Sequence, residues 1–310
     1  MIDLATLVRD LVAILFFPGG LFLLGSGLLY EWGDRKLLAR LQNRVGPRLI
    51  QPLADTIKLL AKESLPPDGV DVRLFVGLPL VALASGLAAA LYVPLFGLPP
   101  TYSFPGDLIV TLYLLSLLTL CIGVAGSNTL DRFSLVGATR ALTQLFSYEA
   151  PFLLAMLGPA IAAGSWQIGE VAAYAEHHLL LLTQPVGFVI AIIGLMGKLE
   201  LPPFDAPEAE TEIVAGALTE YSGRGLALFH LGRNIELVIG LTLIAAFYLG
   251  GVATPLLFLI KSLVLLLVVV VLQAILTRLR IDQTVGLWWR YGALLALAQW
   301  LIVIVGQEII

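Results

Sequence analysis

The sequence predicts an all-α integral membrane protein of eight transmembrane helices, with a short amphipathic interfacial helix after the first span. Three observations carry that reading. Apolar residues make up 59% of the chain and charged residues 13%, at a mean hydropathy of +0.95; one water-facing core cannot bury so much, and the rest must meet lipid. Windows of about 20 predominantly apolar residues, the length that crosses the hydrocarbon, fall near 8–30, 73–96, 107–127, 147–165, 184–200, 228–249, 253–277 and 287–306. Sixteen of the eighteen Lys and Arg residues fall into alternate gaps between these windows, so the polar mass gathers on one side.

The first window opens with Arg9 and Asp10 and lacks a small-residue cleavage site, which reads as a retained helix rather than a signal peptide. The loop 31–73 carries eight basic residues: Arg35, Lys36, Arg40, Arg44, Arg48, Lys58, Lys62 and Arg73. Within it, residues 51–62 place Leu53, Ile57 and Leu60 on one helical face and Asp55, Lys58 and Lys62 on the other, with Pro52 suited to the first turn. Such a helix either lies in the membrane interface or packs on a partner subunit. The second and third windows are almost free of ionisable residues, and Cys121, the only cysteine, sits in the third as a small hydrophobe. One thiol excludes an internal disulfide, and an iron–sulfur cluster usually needs four.

Arg132 and Arg140 occupy the next basic gap, and Glu149 follows Tyr148 at the start of the fourth window. His177 and His178 lie in a gap, so His230 is the only histidine near a span and a bis-His haem has no ligand pair. The loop 198–228 contributes Lys198 and Arg224 with an acidic island: Asp205, Glu208, Glu210, Glu212 and Glu220. If a helix starts at Pro207, Glu208 and Glu212 stack at i, i+4 and repel. Phe204, Ile213 and Val214 interleave with these acids, which favours a packed segment over a solvated loop and makes the cluster a candidate proton relay.

His230, Arg233 and Glu236 share a face at the start of the sixth window, as an ion pair or as a proton step. Lys261 lies inside the seventh, to snorkel or to meet an acid on a neighbouring subunit. Arg278, Arg280 and Arg290 complete the basic gaps. By the positive-inside rule those gaps are cytoplasmic and both termini lie outside. No internal repeat is evident, and residues 1–310 read as one polytopic membrane domain.

Asp34-Arg-Lys-Leu-Leu-Ala-Arg-Leu-Gln, Arg44-Val-Gly-Pro47 and Gln51-Pro-Leu-Ala-Asp-Thr-Ile-Lys-Leu, followed by Pro203-Phe-Asp-Ala-Pro-Glu-Ala-Glu, Val214-Ala-Gly216 and Glu220-Tyr-Ser-Gly223, resemble the complex I subunit 1 (H subunit) family. Tyr148-Glu149 and Arg278-Leu-Arg-Ile-Asp-Gln283 match two further family positions, and the likeness covers nearly the whole chain. It implies a membrane anchor that couples a peripheral redox arm to proton or sodium translocation. Loop 31–73 would then be the basic docking loop, with Arg35, Lys36, Arg40, Arg44, Asp55 and Lys58 facing that arm. Loop 198–228 would be the acidic coupling loop, with Asp205, Glu208, Glu210, Glu212 and Glu220 continued by Glu149 and Glu236.

Only Arg48, Leu49 and Ile50 separate Pro47 from Gln51, where quinone-reactive members usually have a longer stretch with a second Gly-Pro pair. The short form resembles the membrane subunit of energy-converting [NiFe] hydrogenases and formate hydrogenlyase (subunit 4). A second departure is Arg233, near which quinone-type members usually carry an acid. The implied protein is a non-catalytic subunit of a membrane-bound hydrogenase in the prokaryotic cytoplasmic membrane. No metal or cofactor would be held by this chain alone; iron–sulfur clusters and Ni-Fe would sit in hydrogenase-like peripheral subunits, and antiporter-like subunits would flank it in the bilayer. A quinone-site subunit of an NADH:quinone oxidoreductase is the alternative within the family, and a stand-alone ion transporter the alternative of another class. Nothing in the composition suggests a nucleic-acid partner.

Overall fold

A computed structural model describes residues 11–309, and among them it is helical with no strand. Arg9 and Asp10, and with them the expected placement of the N-terminus, lie outside the described residues. The first span runs Leu11–Leu41, its main part being α1 (Gly20–Leu41) after a turn at residues 16–19. The helix therefore continues well into the expected docking loop, because nothing between Glu31 and Leu41 breaks it. It ends where Asn43 turns left-handed at φ 57°.

After α2 (Gln51–Ala61) the chain enters α3 (Val72–Ala90), whose first turn is capped by the Asp71 carboxylate accepting from the Arg73 N–H at 2.8 Å. α4 (Asp107–Asn128) returns, and α5 (Arg132–Ala163) starts well before the expected residue 147. Asp131 fixes that start by accepting from Phe133 N and Ser134 N at 2.9 and 3.0 Å. Arg132 and Arg140 had interrupted the apolar window, yet Ala138, Ala141 and Leu145 pack inward while Arg140 leaves sideways.

Two short helices, α6 (Ile168–His177) and α7 (Leu180–Thr183), precede α8 (Pro185–Lys198). The four-residue α9 (Glu210–Ile213) lies in the acidic loop. Beyond it come α10 (Gly223–Tyr248), α11 (Pro255–Ile275), and α12 (Ile281–Leu287) joined to α13 (Ala293–Ile309) through one wide π turn at Trp288–Gly292. Seven helices among the described residues are long and apolar enough to cross a membrane. The fifth expected span, 184–200, falls on α8, whose 14 residues reach about 21 Å at 1.5 Å per residue, short of a hydrocarbon core of about 30 Å.

α10 is the axis of the bundle: its residues from Ile235 to Tyr248 are buried without interruption, and α1, α3, α8 and α11 pack around it. α5 gathers α4, α8 and α13 on its other side. The loops between alternate helices meet at one end, where Asn128 Nδ2 donates to Asp71 O at 3.0 Å, Arg224 N to Ser64 Oγ at 3.2 Å and Leu279 N to Pro203 O at 2.9 Å. That end collects the basic residues. At the other end Lys261 donates to the carbonyls of Gly250 and Gly251 at 2.8 and 2.7 Å.

Candidate functional site

The acidic loop is held by close backbone approach. Gly216 takes a left-handed φ of 56°, and a Cβ there would meet Pro207 O at 1.9 Å. Across from it, a Cβ on Gly137 of α5 would meet Ala217 N at 2.3 Å. Gln144, buried on α5, donates Nε2 to Gly197 O at 3.0 Å and Phe204 O at 2.8 Å, and Phe204 is buried beside Trp288. The segment is packed through Phe204 and Ile213, whereas Val214 is exposed.

Its carboxylates do not stack. Pro207 lies in a single 3-10 turn at Ala206–Glu208, and the helical turn restarts at Glu210, so Glu208 and Glu212 point to separate arginines. Glu212 pairs with Arg140 at 2.7 Å, and Arg140 also donates to Ala206 O at 3.2 Å. Asp205 accepts from Arg278 Nε at 2.9 Å and from its Nη2. Like charges repel at i, i+4, and the loop avoids that cost by breaking the helix. Glu210 is exposed and Glu220 half-buried, and neither forms an ion pair among the described residues.

Arg233 leaves α10 toward the same loop. It pairs with Glu208 through Nη1 and with Glu200 through Nη2 at 2.5 Å, so the expected pairing along the His230, Arg233 and Glu236 face is replaced by contacts across it. Glu200 is buried, its second oxygen has no partner, and it sits at a φ of 54° just past the end of α8. Burial pushes its carboxyl up to about 7 from 4.5; Arg233 opposes that shift, and Glu208 adds to it.

Three residues further along α10, Glu236 faces Lys198, the last residue of α8. The Lys198 side chain is 0% exposed. Its ammonium donates to Glu149 Oε2 at 3.2 Å and to Ser116 Oγ at 3.1 Å, and stands 4.0 Å from Glu236 Oε1. Ser116 in turn contacts Glu149 Oε1. The rings of Tyr148 and Phe152 close over the ammonium, each 5.6 Å from it. Both oxygens of Glu236 lack a hydrogen-bond partner.

These groups form a file of two triads, each of alternating sign: Glu208, Arg233 and Glu200 at the loop, then Glu236, Lys198 and Glu149 inside the bundle, with Arg233 and Glu236 three residues apart on α10. Burying an isolated charge costs several kcal/mol, and the alternation offsets that cost at each step but one, the unpartnered Glu236.

The basic hairpin abuts this file. Arg35 pairs with Glu31 and lies 3.4 Å from Asp55, which ties α1 to α2. Lys36 donates to Val45 O at 2.8 Å and to Pro47 O at 3.4 Å, so it staples the turn rather than projecting outward. Arg40, Arg44 and Lys58 are exposed, and Arg44 contacts Gln42. Leu53, Ile57 and Leu60 of α2 are also exposed. A cavity of about 170 Å³ lies between hairpin and loop, lined in part by Glu31, Asp34, Glu200, Glu208, His230 and Arg233.

Of the expected relay residues, Glu208, Glu149 and Glu236 fall on the file, Asp205 and Glu212 flank it, and Glu210 and Glu220 stand apart. The sequence reading missed Lys198, which it counted among loop charges, along with Glu200, Ser116 and Glu31. The signal for the first two was present: Lys198 and Glu200 end an apolar run behind Gly194 and Gly197, at which α8 closes onto Phe152 and Tyr148.

The family model for NADH dehydrogenase matches residues 12–304. The chain is 35% identical to the NADH-quinone oxidoreductase H subunit of Thermomicrobium roseum over 89% of each chain. It is 36% identical to the second NADH-quinone oxidoreductase H subunit of Geobacter sulfurreducens, over 94% of this chain and 93% of that one. Among solved structures, a chain of the membrane-bound sulfane sulfur reductase, an archaeal respiratory membrane complex, superposes with a TM-score of 0.82, over 96% of this chain and 99% of that one. At 22% identity that likeness shows the fold alone.

Proposed function

We infer function from one premise: the chain belongs to the NADH dehydrogenase family, the subunit 1 (H subunit) family of complex I. It is a multi-pass membrane subunit of a respiratory complex. Our reading is that it anchors the peripheral redox arm through the hairpin at 31–73 and passes redox energy to proton or sodium translocation through the loop at 198–228. One observation carries this reading: the ion-paired Glu208, Arg233 and Glu200 stand at the loop, and Glu236, three residues from Arg233 on α10, begins a second set with Lys198 and Glu149 inside the bundle. A self-contained transporter would need such a file across the whole chain, and α3 and α4 supply almost no ionisable group to extend it.

In this reading α8 is the fifth of eight spans, lengthened by the turn of α7 before it, and α2 lies in the membrane interface with Leu53, Ile57 and Leu60 toward lipid. Both termini are outside, in the cytoplasmic membrane of a prokaryote. The short link from Pro47 to Gln51 favours a hydrogenase-type complex, with iron–sulfur clusters and Ni-Fe in hydrogenase-like peripheral subunits and antiporter-like subunits beside this one. A second reading, a quinone-site subunit, is favoured by the names of the 33–36% identical relatives and by the 170 Å³ cavity at the hairpin. Quinone-dependent oxidation by the purified complex separates the two.

The main reading is tested with Glu208→Gln in the intact complex. Coupled ion uptake into proteoliposomes should fall by about tenfold, the effect of a lost relay contact of at least about 1.4 kcal/mol, while the partner subunits still co-purify. Undiminished uptake would refute the coupling role. Replacing Arg40 and Arg44 by Ala should loosen the peripheral arm, read as its loss during high-salt purification; full retention would refute the docking role.

A further inference from the structure

Glu236 is a buried carboxylate and Glu149 a part-buried one, and the two share one buried ammonium. An ammonium neutralises one of them, and in a medium this dry the other is balanced most cheaply by a proton. In the arrangement seen, the donors gather on Glu149: it accepts from Lys198 at 3.2 Å and contacts Ser116, while Glu236 stands 4.0 Å from the ammonium with no donor on either oxygen.

Ser116 gives Glu149 a partner in both protonation states. Its hydroxyl has a single proton to donate, and two acceptors are in reach: Glu149 Oε1, and Leu112 O at 3.0 Å. When Glu149 is charged, Ser116 donates to it. When Glu149 is protonated, its O–H donates to Ser116 Oγ, and the serine proton turns to Leu112 O.

We propose that Lys198 and Ser116 form a two-position switch in which the ammonium moves between Glu149 and Glu236 and thereby sets which of the two carries the proton. In one position Glu149 is a carboxylate against Lys198, and Glu236 is a carboxylic acid. In the other, the Glu236 O–H bond has broken, an O–H bond has formed on Glu149, and the ammonium has moved the opposite way to stay against the charge. One proton and one ammonium exchange places, and the cluster keeps the same net charge throughout. Lys198 acts through the two acids, as a positioning residue. The switch rests on the coupling role above and deepens it.

Infrared spectroscopy of the carboxyl C=O stretch on the whole purified complex tests it, with ions moved per electron pair measured in proteoliposomes. Measured above about pH 7, where Glu200 has released its proton, the parent should show one protonated carboxyl that disappears in Glu236→Gln. Lys198→Met should show two, the second disappearing when Glu149→Gln is added, and its ion-to-electron ratio should fall by about tenfold or more, the loss of a contact of at least about 1.4 kcal/mol. Lys198→Arg, which keeps the charge, should restore both readouts in part. A single protonated carboxyl in Lys198→Met, or an unchanged ratio, would overturn the switch. If Lys198→Met fails to assemble, Lys198→Met with Glu236→Gln removes the unpaired charge and should show a protonated Glu149; an ionised Glu149 there would overturn the proposal equally. Loss of coupling in Glu149→Gln but not in Lys198→Met would leave the relay standing without the switch, whereas full coupling in Glu149→Gln, Glu236→Gln and Glu208→Gln would remove the relay itself.

Discussion

Glu200 sits where a carboxylate has little water and only one cation to help it. Burial pushes it up to about 7 despite Arg233 at 2.5 Å. Between about pH 4.5 and about 7 the native protein keeps a proton that the unfolded chain releases, so stability falls as pH rises across that window and levels off above it. Glu200→Gln removes this slope. Thermal melts of the intact complex should show the Tm of the variant gaining on the parent from about pH 4.5 to about 7 and running parallel above; equal slopes in the window would contradict the assignment. The acids of the loop were legible from composition. Their partners were not, because Glu208 finds Arg233 25 residues away and Lys198 finds Glu149 49 residues away, and separations of that size are set by packing. Lys198 looked like any loop-end cation until α8 was seen to bury it.

At the scale of elements, the acidic loop depends on two glycines more than on any side chain. A Cβ on Gly137 would stand 2.3 Å from Ala217 N, a backbone atom that cannot swing aside. Gly137→Ala should therefore push the loop off α5, at a cost of about 3 kcal/mol, the upper range for overpacking. The check is protease access to residues 205–216 in the purified complex: cleavage should appear in the variant and not in the parent. Protection equal to the parent's would mean that α5 does not hold the loop. Seven of the eight expected spans fall on helices long and apolar enough to cross, because lipid imposes hydropathy over a fixed length. Helix ends were not readable. α1 overruns Glu31 and α5 begins at Arg132, since a helix ends at a cap or a breaker rather than where its hydropathy falls. Asp131 as a cap was visible in the sequence, but it lay outside the apolar window that marked the span.

For the whole molecule, the bundle places a half-exposed acid, Glu208, and a part-buried one, Glu149, at the two ends of one file, with α10 supplying both Arg233 and Glu236. Residues on one path act as a unit, and their effects do not add. The measurement that tests this most directly is the number of ions moved per electron pair by the reconstituted complex carrying Glu208→Gln, Glu149→Gln and both. A continuous file predicts that each single change lowers the ratio by about tenfold and that the double change lowers it no further, a coupling energy of about 1.4 kcal/mol. Two independent losses that multiply to about a hundredfold, or no loss in either single variant, would contradict it.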